Sequence, residues 1–319
     1  MLDRNASYNG DSEGEIALLN KQFSRECPAL SFQKGVDGLT KLCIRNEALG
    51  AFEMFLKGAH ITSWRPRGKN EVFYLSRKSR FEADSIRGGV PIIFPKFGGR
   101  ELTQSPPLDS MLAHGFARHL PWTVIEASVR KDNSAKIILE LSEEKITTGC
   151  WPDQKFALRL HITLLEQALY CELSVLNTGA SDLIFRGGFH PYFHIGDISS
   201  AEITGFHNLQ YEDAFHNFTI KSEHEAILRL GEPMNRVYLG APHTFHIRDT
   251  LENISLKISK KNFPEVVLWS PEPNYCLEKA DMEAVDYRTF VCLEPAIAAS
   301  VVSLTPHTEW SGKMEIEVL

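Results

Sequence analysis

The chain has 319 residues, of which 43% are hydrophobic and 24% are charged, and its formal net charge is -7. This composition is ordinary for a globular protein, and it excludes a fibrous or wholly disordered chain. The negative balance also disfavours nucleic acid as a partner, because a phosphate backbone is bound by an excess of basic residues. The length fits one large domain.

The N-terminal part of the sequence is polar. No apolar secretory segment follows Met1, and no run of about eighteen apolar residues is present that would span a bilayer, so we expect a cytoplasmic protein without a membrane partner. Residues 1–27 predict an arm that precedes a domain spanning residues 28–319. Ser12 and Glu15 have the spacing of a capping box, which predicts a short helix on a loosely attached arm.

The dominant pattern in the rest of the chain is alternation of apolar and polar residues. From Phe156 to Leu164 every second side chain is apolar, which predicts a half-buried strand. Residues 169–175 repeat the pattern after a break, so the two runs predict an antiparallel hairpin. Shorter runs recur at 136–141 and 245–247. Helical periodicity is weak throughout, and the sequence therefore predicts an all-β fold, a large antiparallel β-sandwich in a single domain.

Cysteine spacing and common motifs give little support to cofactor chemistry. The six cysteines are widely spread and include no C-x-x-C pair, which indicates reduced thiols in the core. The sequence also lacks the motifs of serine hydrolases, P-loop proteins and dinucleotide-binding domains. We therefore expect no cofactor.

One stretch is rich in basic residues, and these are Arg65, Arg67, Lys69, Arg77, Lys78 and Arg80. A solvated loop and strand edge is the simpler interpretation. The alternative is that some of these charges attract an anionic small molecule, since a few basic groups are enough to bind one.

His190 and His194 have an H-x-x-x-H spacing that, on a helix, places two imidazoles on one face for a metal ion. Pro191 and the aromatic residues after it favour an extended segment instead. Residues four apart in a strand are separated by more than about 12 Å, and no carboxylate follows in the usual ligand spacing. We therefore expect no metal site.

Four short segments each place polar side chains among glycine, proline or aromatic residues, a composition typical of a concave site. Their polar residues are Arg87, His114, Arg118, His190 and Glu294. An imidazole donates or accepts a proton near neutral pH, and burial turns a carboxylate into a stronger base. The combination suits acid–base catalysis of a tautomeric reaction, although each residue taken alone could be structural.

Together these segments resemble those of the glucose-6-phosphate 1-epimerase (hexose-6-phosphate mutarotase) family, within the aldose 1-epimerase superfamily. The resemblance covers nearly all of the chain after the arm, and it continues through residues 57–64, 94–98, 196–197, 236–239, 269–271 and 287–294. It implies a galactose mutarotase-like β-supersandwich with an open cleft. It also implies cofactor-free interconversion of the α and β anomers of a hexose 6-phosphate, with glucose 6-phosphate as the expected substrate.

The resemblance further implies a role for each candidate residue. Glu294 would be the general base that removes the proton from the anomeric hydroxyl, and His190 the general acid that protonates the ring oxygen. Ring opening, rotation about the C1–C2 bond and reclosure would then give the other anomer. Arg87 and Arg118 match the substrate-contacting arginines of the family, and His114 would lie beside the reacting end of the sugar.

Some positions depart from the family pattern or fit it incompletely. Asn235 stands where the family usually has an aspartate that holds a sugar hydroxyl. An amide keeps one acceptor, adds donors and loses the charge, so we expect Asn235 to bind a hydroxyl with altered preference. Ser270 replaces a common asparagine and should affect the loop more than the chemistry. Asp281 resembles a position near the cleft, and both loop capping and ligand contact are open for it.

Two alternatives to a hexose-6-phosphate mutarotase are open on the sequence. A mutarotase of unphosphorylated aldoses would share the acid and the base, so only the phosphate contacts would distinguish it. A sugar-binding or regulatory module would keep the cleft without the turnover, although the presence of both His190 and Glu294 argues against it. Phe116, Tyr192 and Trp269 could stack on a sugar, but aromatic residues of a β-sandwich are more often core. The oligomeric state is not indicated.

Overall fold

Antiparallel strands build most of the structure, which a computed structural model describes for residues 12–25, 27–82, 85–98, 113–145, 151 and 154–319. The strands are β1 (Leu30–Lys34), β2 (Thr40–Asn46), β3 (Gly50–Phe55), β4 (His60–Arg65), β5 (Ile92–Ile93), β6 (Thr123–Val129), β7 (Ala135–Ser142), β8 (Phe156–Leu164), β9 (Ala168–Asn177), β10 (Leu183–Phe189), β11 (Tyr192–His194), β12 (Ala201–Thr204), β13 (Gln210–Asp213), β14 (Thr219–Ser222), β15 (Ile227–Arg229), β16 (Met234–Tyr238), β17 (Thr244–Asp249), β18 (Ile254–Lys261), β19 (Glu265–Ser270), β20 (Phe290–Leu304) and β21 (Glu309–Val318). The α-helices of these residues are α1 (Ser12–Leu19) and α2 (Pro273–Glu278). None of the described helices has the length and apolar character needed to cross a membrane.

In the described part of the chain the strands form three sheets. A four-stranded sheet has the order β1-β2-β3-β4, and a nine-stranded sheet has the order β15-β12-β17-β18-β21-β9-β8-β7-β6. An eight-stranded sheet has the order β14-β13-β16-β19-β20-β10-β5, with β11 also paired to β20. One connected apolar core contains side chains from all three sheets, such as Phe52, Leu139 and Phe185. The predicted all-β, antiparallel β-sandwich in a single domain is confirmed.

Strands β8 and β9 form the antiparallel hairpin that the alternation predicts. Their register pairs Leu160 with Leu173 and Ile162 with Cys171. Along β8 each apolar residue is buried and each intervening residue is at least partly exposed. Burying a large apolar side chain stabilises the fold by roughly 1.5–3 kcal/mol, so the apolar face of this hairpin fixes its register.

The N-terminal helix α1 forms where the capping pattern predicts a helix, and a π-helical turn over residues 20–24 continues it. The side-chain amide of Asn20 donates to the carbonyl of Phe32 and accepts from its N–H, each at 2.8 Å. Glu15 accepts a hydrogen bond from Thr40. The expected loose attachment is therefore wrong for residues 12–25, because the edge strand β1 binds them through its free backbone groups. Residues 1–11 lie outside the described part.

The thiols of Cys43, Cys171, Cys276 and Cys292 are free and buried, as the cysteine spacing predicts for core residues. Cys27 is also free but only partly buried, and Cys150 lies outside the described residues. The prediction of core thiols is thus confirmed for four of the cysteines.

Candidate active site

One cavity of about 460 Å³ is lined by every candidate residue of the sequence, which are Arg87, His114, Arg118, His190, Asn235 and Glu294. The eight-stranded sheet brings several of them together. Asn235 lies on β16, Glu294 lies on β20 and His190 directly follows β10. Since β20 pairs with both β10 and β19, and β19 pairs with β16, residues far apart in the sequence meet on one face.

Glu294 lines this cavity from β20, an interior strand of the eight-stranded sheet. Its side chain is 2% exposed, and its Oε1 atom is 3.5 Å from Nε2 of His190. Its Oε2 atom is buried and has no hydrogen-bond partner among the described residues. Burial raises the pKa of Glu294 well above its usual range, because the ionised form loses hydration. The carboxyl group is therefore a strong base when ionised.

His190 is enclosed by aromatic rings on two sides. The Tyr192 ring stacks on the imidazole at a centroid distance of 4.8 Å, and the Trp269 ring meets it edge-on at 5.8 Å. Burial, reinforced by the positive charges of Arg118 and Arg87, lowers the pKa of His190 to about 3. Because burial opposes charge on both members of the His190–Glu294 pair, a single proton held by the pair resides on the carboxyl group.

His114 adds a neutral donor to the same cavity. The backbone N–H of Gly98 donates to its Nδ1 atom at 3.3 Å, and its ring centroid is 5.4 Å from that of His190. Burial, reinforced by the charge of Arg118, lowers the pKa of His114 well below its usual range. A neutral imidazole whose Nδ1 atom accepts carries its proton on Nε2, so His114 can donate to a bound oxygen.

The carboxylate of Asp281 fixes the guanidinium of Arg87 in the cavity wall. Its Oδ2 atom accepts from Arg87 Nε at 3.0 Å, and the pair is almost fully buried, with 17% and 9% of the two side chains exposed. Nη1 of Arg87 also approaches the Tyr192 hydroxyl at 3.4 Å. The carboxylate of Asp281 therefore positions the Arg87 side chain.

The Arg87 side chain projects from a turn that only glycine can form. Gly88 and Gly89 have φ values of 112° and 61°, and a Cβ atom at Gly89 would lie 2.1 Å from the carbonyl oxygen of Ile61. The Nε2 atom of the fully buried His60 lies 2.7 Å from the carbonyl oxygen of Gly88. His60 is therefore a structural partner of this turn.

The Arg118 side chain is held by a backbone group, since its Nη2 atom donates to the carbonyl of Ala113 at 2.9 Å. Together with Arg87 and Lys279 it gives the described cavity wall three cationic side chains, against the single acid Glu294. Lys279 was not predicted from the sequence, because a lone lysine after a short helix looks like any solvated lysine. The cavity is therefore positively charged.

The basic stretch from Arg65 to Arg80 is separate from the cavity, since none of the described lining residues comes from it. Most of its basic side chains are exposed, and Arg77 lies in another groove beside Asp286. The exposure of these side chains agrees with a solvated edge, and the stretch contributes no described lining residue to the cavity.

The two histidines of the H-x-x-x-H motif do not converge, since His194 lies in the groove of Arg77 rather than in the cavity. A different cluster exists, in which ligand atoms of His190, Cys292 and Glu294 lie within 4.8 Å of one another. Burial raises the pKa of the Cys292 thiol well above its usual range. A thiol that keeps its proton is a poor metal ligand, so this donor set is better suited to proton transfer.

Two of the three aromatic residues considered for sugar stacking line the cavity, and these are Tyr192 and Trp269. Phe116 is fully buried in the core, where its ring packs against Phe156. The rings of Tyr192 and Trp269 meet at a centroid distance of 6.0 Å and an angle of 90°. They form an apolar corner beside the His190–Glu294 pair.

Comparison with known proteins agrees with this geometry. Residues 40–317 match the sequence profile of the family described as "Aldose 1-epimerase". A protein of Escherichia coli (strain K12) named "Putative glucose-6-phosphate 1-epimerase" is 30% identical over 279 residues, which cover 87% of this chain and 90% of that one. A protein of the same name from Cenchrus ciliaris is 27% identical over 305 residues, covering 92% and 88%. The crystal structure of a "putative mutarotase (YeaD)" from Salmonella typhimurium superposes with a TM-score of 0.81 at 27% identity, covering 94% of this chain and 99% of that one.

Proposed function

Because the chain belongs to the aldose 1-epimerase family, we propose that it interconverts the α and β anomers of a hexose 6-phosphate, with glucose 6-phosphate as the substrate. The observation that carries this proposal is a buried carboxyl–imidazole pair in a cavity with an excess of positive charge. The pair supplies the acid and the base, and the excess charge suits a phosphorylated sugar. The printed names of the relatives support the same substrate.

In the ring-opening step, Glu294 takes the proton of the anomeric hydroxyl. The O–H electrons form the C1 carbonyl, the bond between C1 and the ring oxygen breaks, and His190 gives its proton to that oxygen. Rotation about the C1–C2 bond presents the other face of the carbonyl. Reclosure reverses both proton transfers, so the pair regains its starting protonation and no other reactant is consumed.

This mechanism needs one proton on the pair, located on His190 when the ring opens. In the ligand-free cavity that proton resides on Glu294, and the 3.5 Å contact between Nε2 and Oε1 gives a path for its transfer. The charges of Arg118 and Arg87 contribute to the low pKa of His190. A negatively charged substrate in the cavity would offset part of this field, raise the pKa of His190 and so favour the reactive arrangement.

The remaining polar residues of the cavity suit recognition of the sugar. His114 can donate its Nε2 proton to an oxygen at the reacting end, and Asn235 offers both an acceptor and donors to a hydroxyl. The rings of Tyr192 and Trp269 offer an apolar surface to the C–H groups of a pyranose. Together these contacts would orient the anomeric carbon against the His190–Glu294 pair.

Exchange between the anomers can be measured directly by magnetisation-transfer NMR, with glucose 6-phosphate and glucose as parallel substrates. We expect the protein to accelerate exchange of the phosphate ester far more than that of glucose. Acceleration of glucose alone would contradict the phosphosugar assignment and favour an aldose mutarotase. Binding of either sugar without acceleration would contradict enzymatic function and favour a binding module. The variant E294Q controls for trace contaminating enzyme.

A further inference from the structure

We propose that Lys279 selects phosphorylated substrates by donating to the phosphate group, and that it is the main residue that distinguishes a hexose 6-phosphate from the free sugar. This inference rests on the proposed mutarotase function and names the side chain responsible for its substrate class. It comes from three observations, which concern the position of Lys279, its lack of other partners and its separation from the reacting pair.

Lys279 occupies the cavity wall directly after the short helix α2. Its backbone N–H donates to the carbonyl of Cys276 at 3.3 Å, and its carbonyl accepts from Met282 at the same distance, so both sides of the residue are anchored. Its Nζ atom lies over the ring of Tyr275, 4.9 Å from the centroid. A cation–π contact restricts an ammonium group without using its N–H donors.

The other two cations of the cavity are already committed to protein groups. Arg87 donates to Asp281, and Arg118 donates to the carbonyl of Ala113. For Lys279 Nζ, by contrast, no hydrogen bond or carboxylate partner exists among the residues that the structure describes. An ammonium group has three donors and a compact charge, so Lys279 has the largest unused capacity to bind a phosphate oxygen.

A row of aromatic rings separates Lys279 from the reacting pair. Between centroids, the Trp269 ring lies 5.8 Å from the His190 ring and 5.3 Å from the Tyr275 ring. The ammonium group of Lys279 lies over the Tyr275 ring. This separation suits a substrate whose anomeric carbon and charged group lie at different ends. The cationic side chains that lower the pKa of His190 are those of Arg118 and Arg87, so a phosphate contact at Lys279 uses a different cation of the cavity wall.

The experiment compares the wild type with K279Q, K279R and the control K131Q, which removes the same charge from the exposed β6–β7 turn. Anomer exchange of glucose 6-phosphate gives KM and kcat for each variant. Competition by inorganic phosphate gives the affinity for the phosphate group alone. Thermal unfolding of each variant shows whether the fold is intact, and rescue by K279R separates loss of charge from loss of shape.

We expect K279Q to raise KM for glucose 6-phosphate about tenfold or more, with a much smaller effect on kcat, since a lost charge-assisted bond to a phosphate weakens binding. The competition constant of inorganic phosphate should rise in parallel, K279R should recover part of the loss, and K131Q should match the wild type. Equal KM values for K279Q and K131Q, in a wild type that does accelerate glucose 6-phosphate, would overturn the role of Lys279 and leave the proposed function intact.

A wild type without activity on either sugar would instead overturn the proposed function. Lys279 is then tested by equilibrium binding of glucose 6-phosphate and of inorganic phosphate to the same variants. Weaker binding in K279Q than in K131Q supports the phosphate contact, and equal binding overturns it.

Discussion

The Nε2 atom of His190 lies 3.5 Å from the Oε1 atom of Glu294, in a contact where neither side chain is more than 8% exposed. Water is thus largely excluded from the contact between His190 and Glu294. In such an environment the neutral forms of both groups are favoured, so a single proton held by the pair resides on the carboxyl group.

Replacing either member of this pair should abolish most of the activity. E294Q removes the base and H190N removes the acid, and both keep neutral side chains of similar shape. We expect each to lower kcat by a factor of about 10² or more, as is usual for the loss of a general acid or base. Anomer exchange measured by NMR tests this, with near-UV circular dichroism as the control for folding. Full activity in either variant would contradict the role given to that residue.

The pH dependence of kcat/KM should differ from that of an ordinary histidine enzyme. Because the pKa of His190 is lowered to about 3 and that of Glu294 is raised well above its usual range, the free pair takes up no second proton until the pH falls towards 3. Activity should therefore be lost as the pH rises through the raised pKa of Glu294, where the pair gives up its single proton. The profile is measured with correction for the phosphate ionisation of the substrate, near pH ~6. A loss of activity on acidification, centred on pH ~6.5, would instead indicate an exposed, ordinary histidine.

The ion pair between Arg87 and Asp281 should contribute to both stability and activity. D281A leaves a mostly buried guanidinium without its counter-charge, and we expect the free energy of unfolding to fall by about 3 kcal/mol. Displacement of the Arg87 side chain should lower kcat/KM about tenfold. Urea denaturation and NMR exchange measure the two effects. The matched control is E140A, which breaks the more exposed pair with Arg159 and should cost less than about 1 kcal/mol.

His60 should make the protein less stable in acid. Burial lowers its pKa to about 4, whereas the unfolded chain has a value near ~6.5. The folded state thus binds fewer protons in this window, so the contribution of His60 is complete above pH ~6.5 and is lost as the pH falls towards 4, by about 3 kcal/mol. The stability difference between the wild type and H60Q should shrink by that amount between pH 7 and 4. A difference independent of pH would contradict the buried, neutral state, and H207Q provides an exposed control.

The fold and most of the cavity were accessible from the sequence because their signals are local. Alternation in β8 and β9 specifies both the strands and their pairing, since a shift of one residue would expose every apolar side chain. His190 and Glu294 stand in short segments whose neighbours have unusual composition. These signals are carried by adjacent residues, and no long-range contact is needed to detect them.

The contacts that the sequence did not reveal depend on the tertiary arrangement. The side chain of Asn20 binds the backbone of Phe32 across 12 positions, and nothing in the polar sequence around Asn20 indicates such a bond. Lys279 lines the cavity next to α2, whose Tyr275 packs against Trp269 of β19. Cys292 lies close to His190 and Glu294 because residues two apart on a strand share a face. The sequence does not show which face of the strand lines the cavity.

The position of Lys279 outside the sheet has a consequence for how this protein could change over evolutionary time. Asn235 and Glu294 are built into strands, where a substitution disturbs the hydrogen-bonded ladder and the core. Lys279 belongs to the long connection between β19 and β20, and connections tolerate replacement and length variation far better than strands do. If Lys279 selects the substrate as proposed, remodelling this one connection would admit a different charged group and leave His190 and Glu294 unchanged.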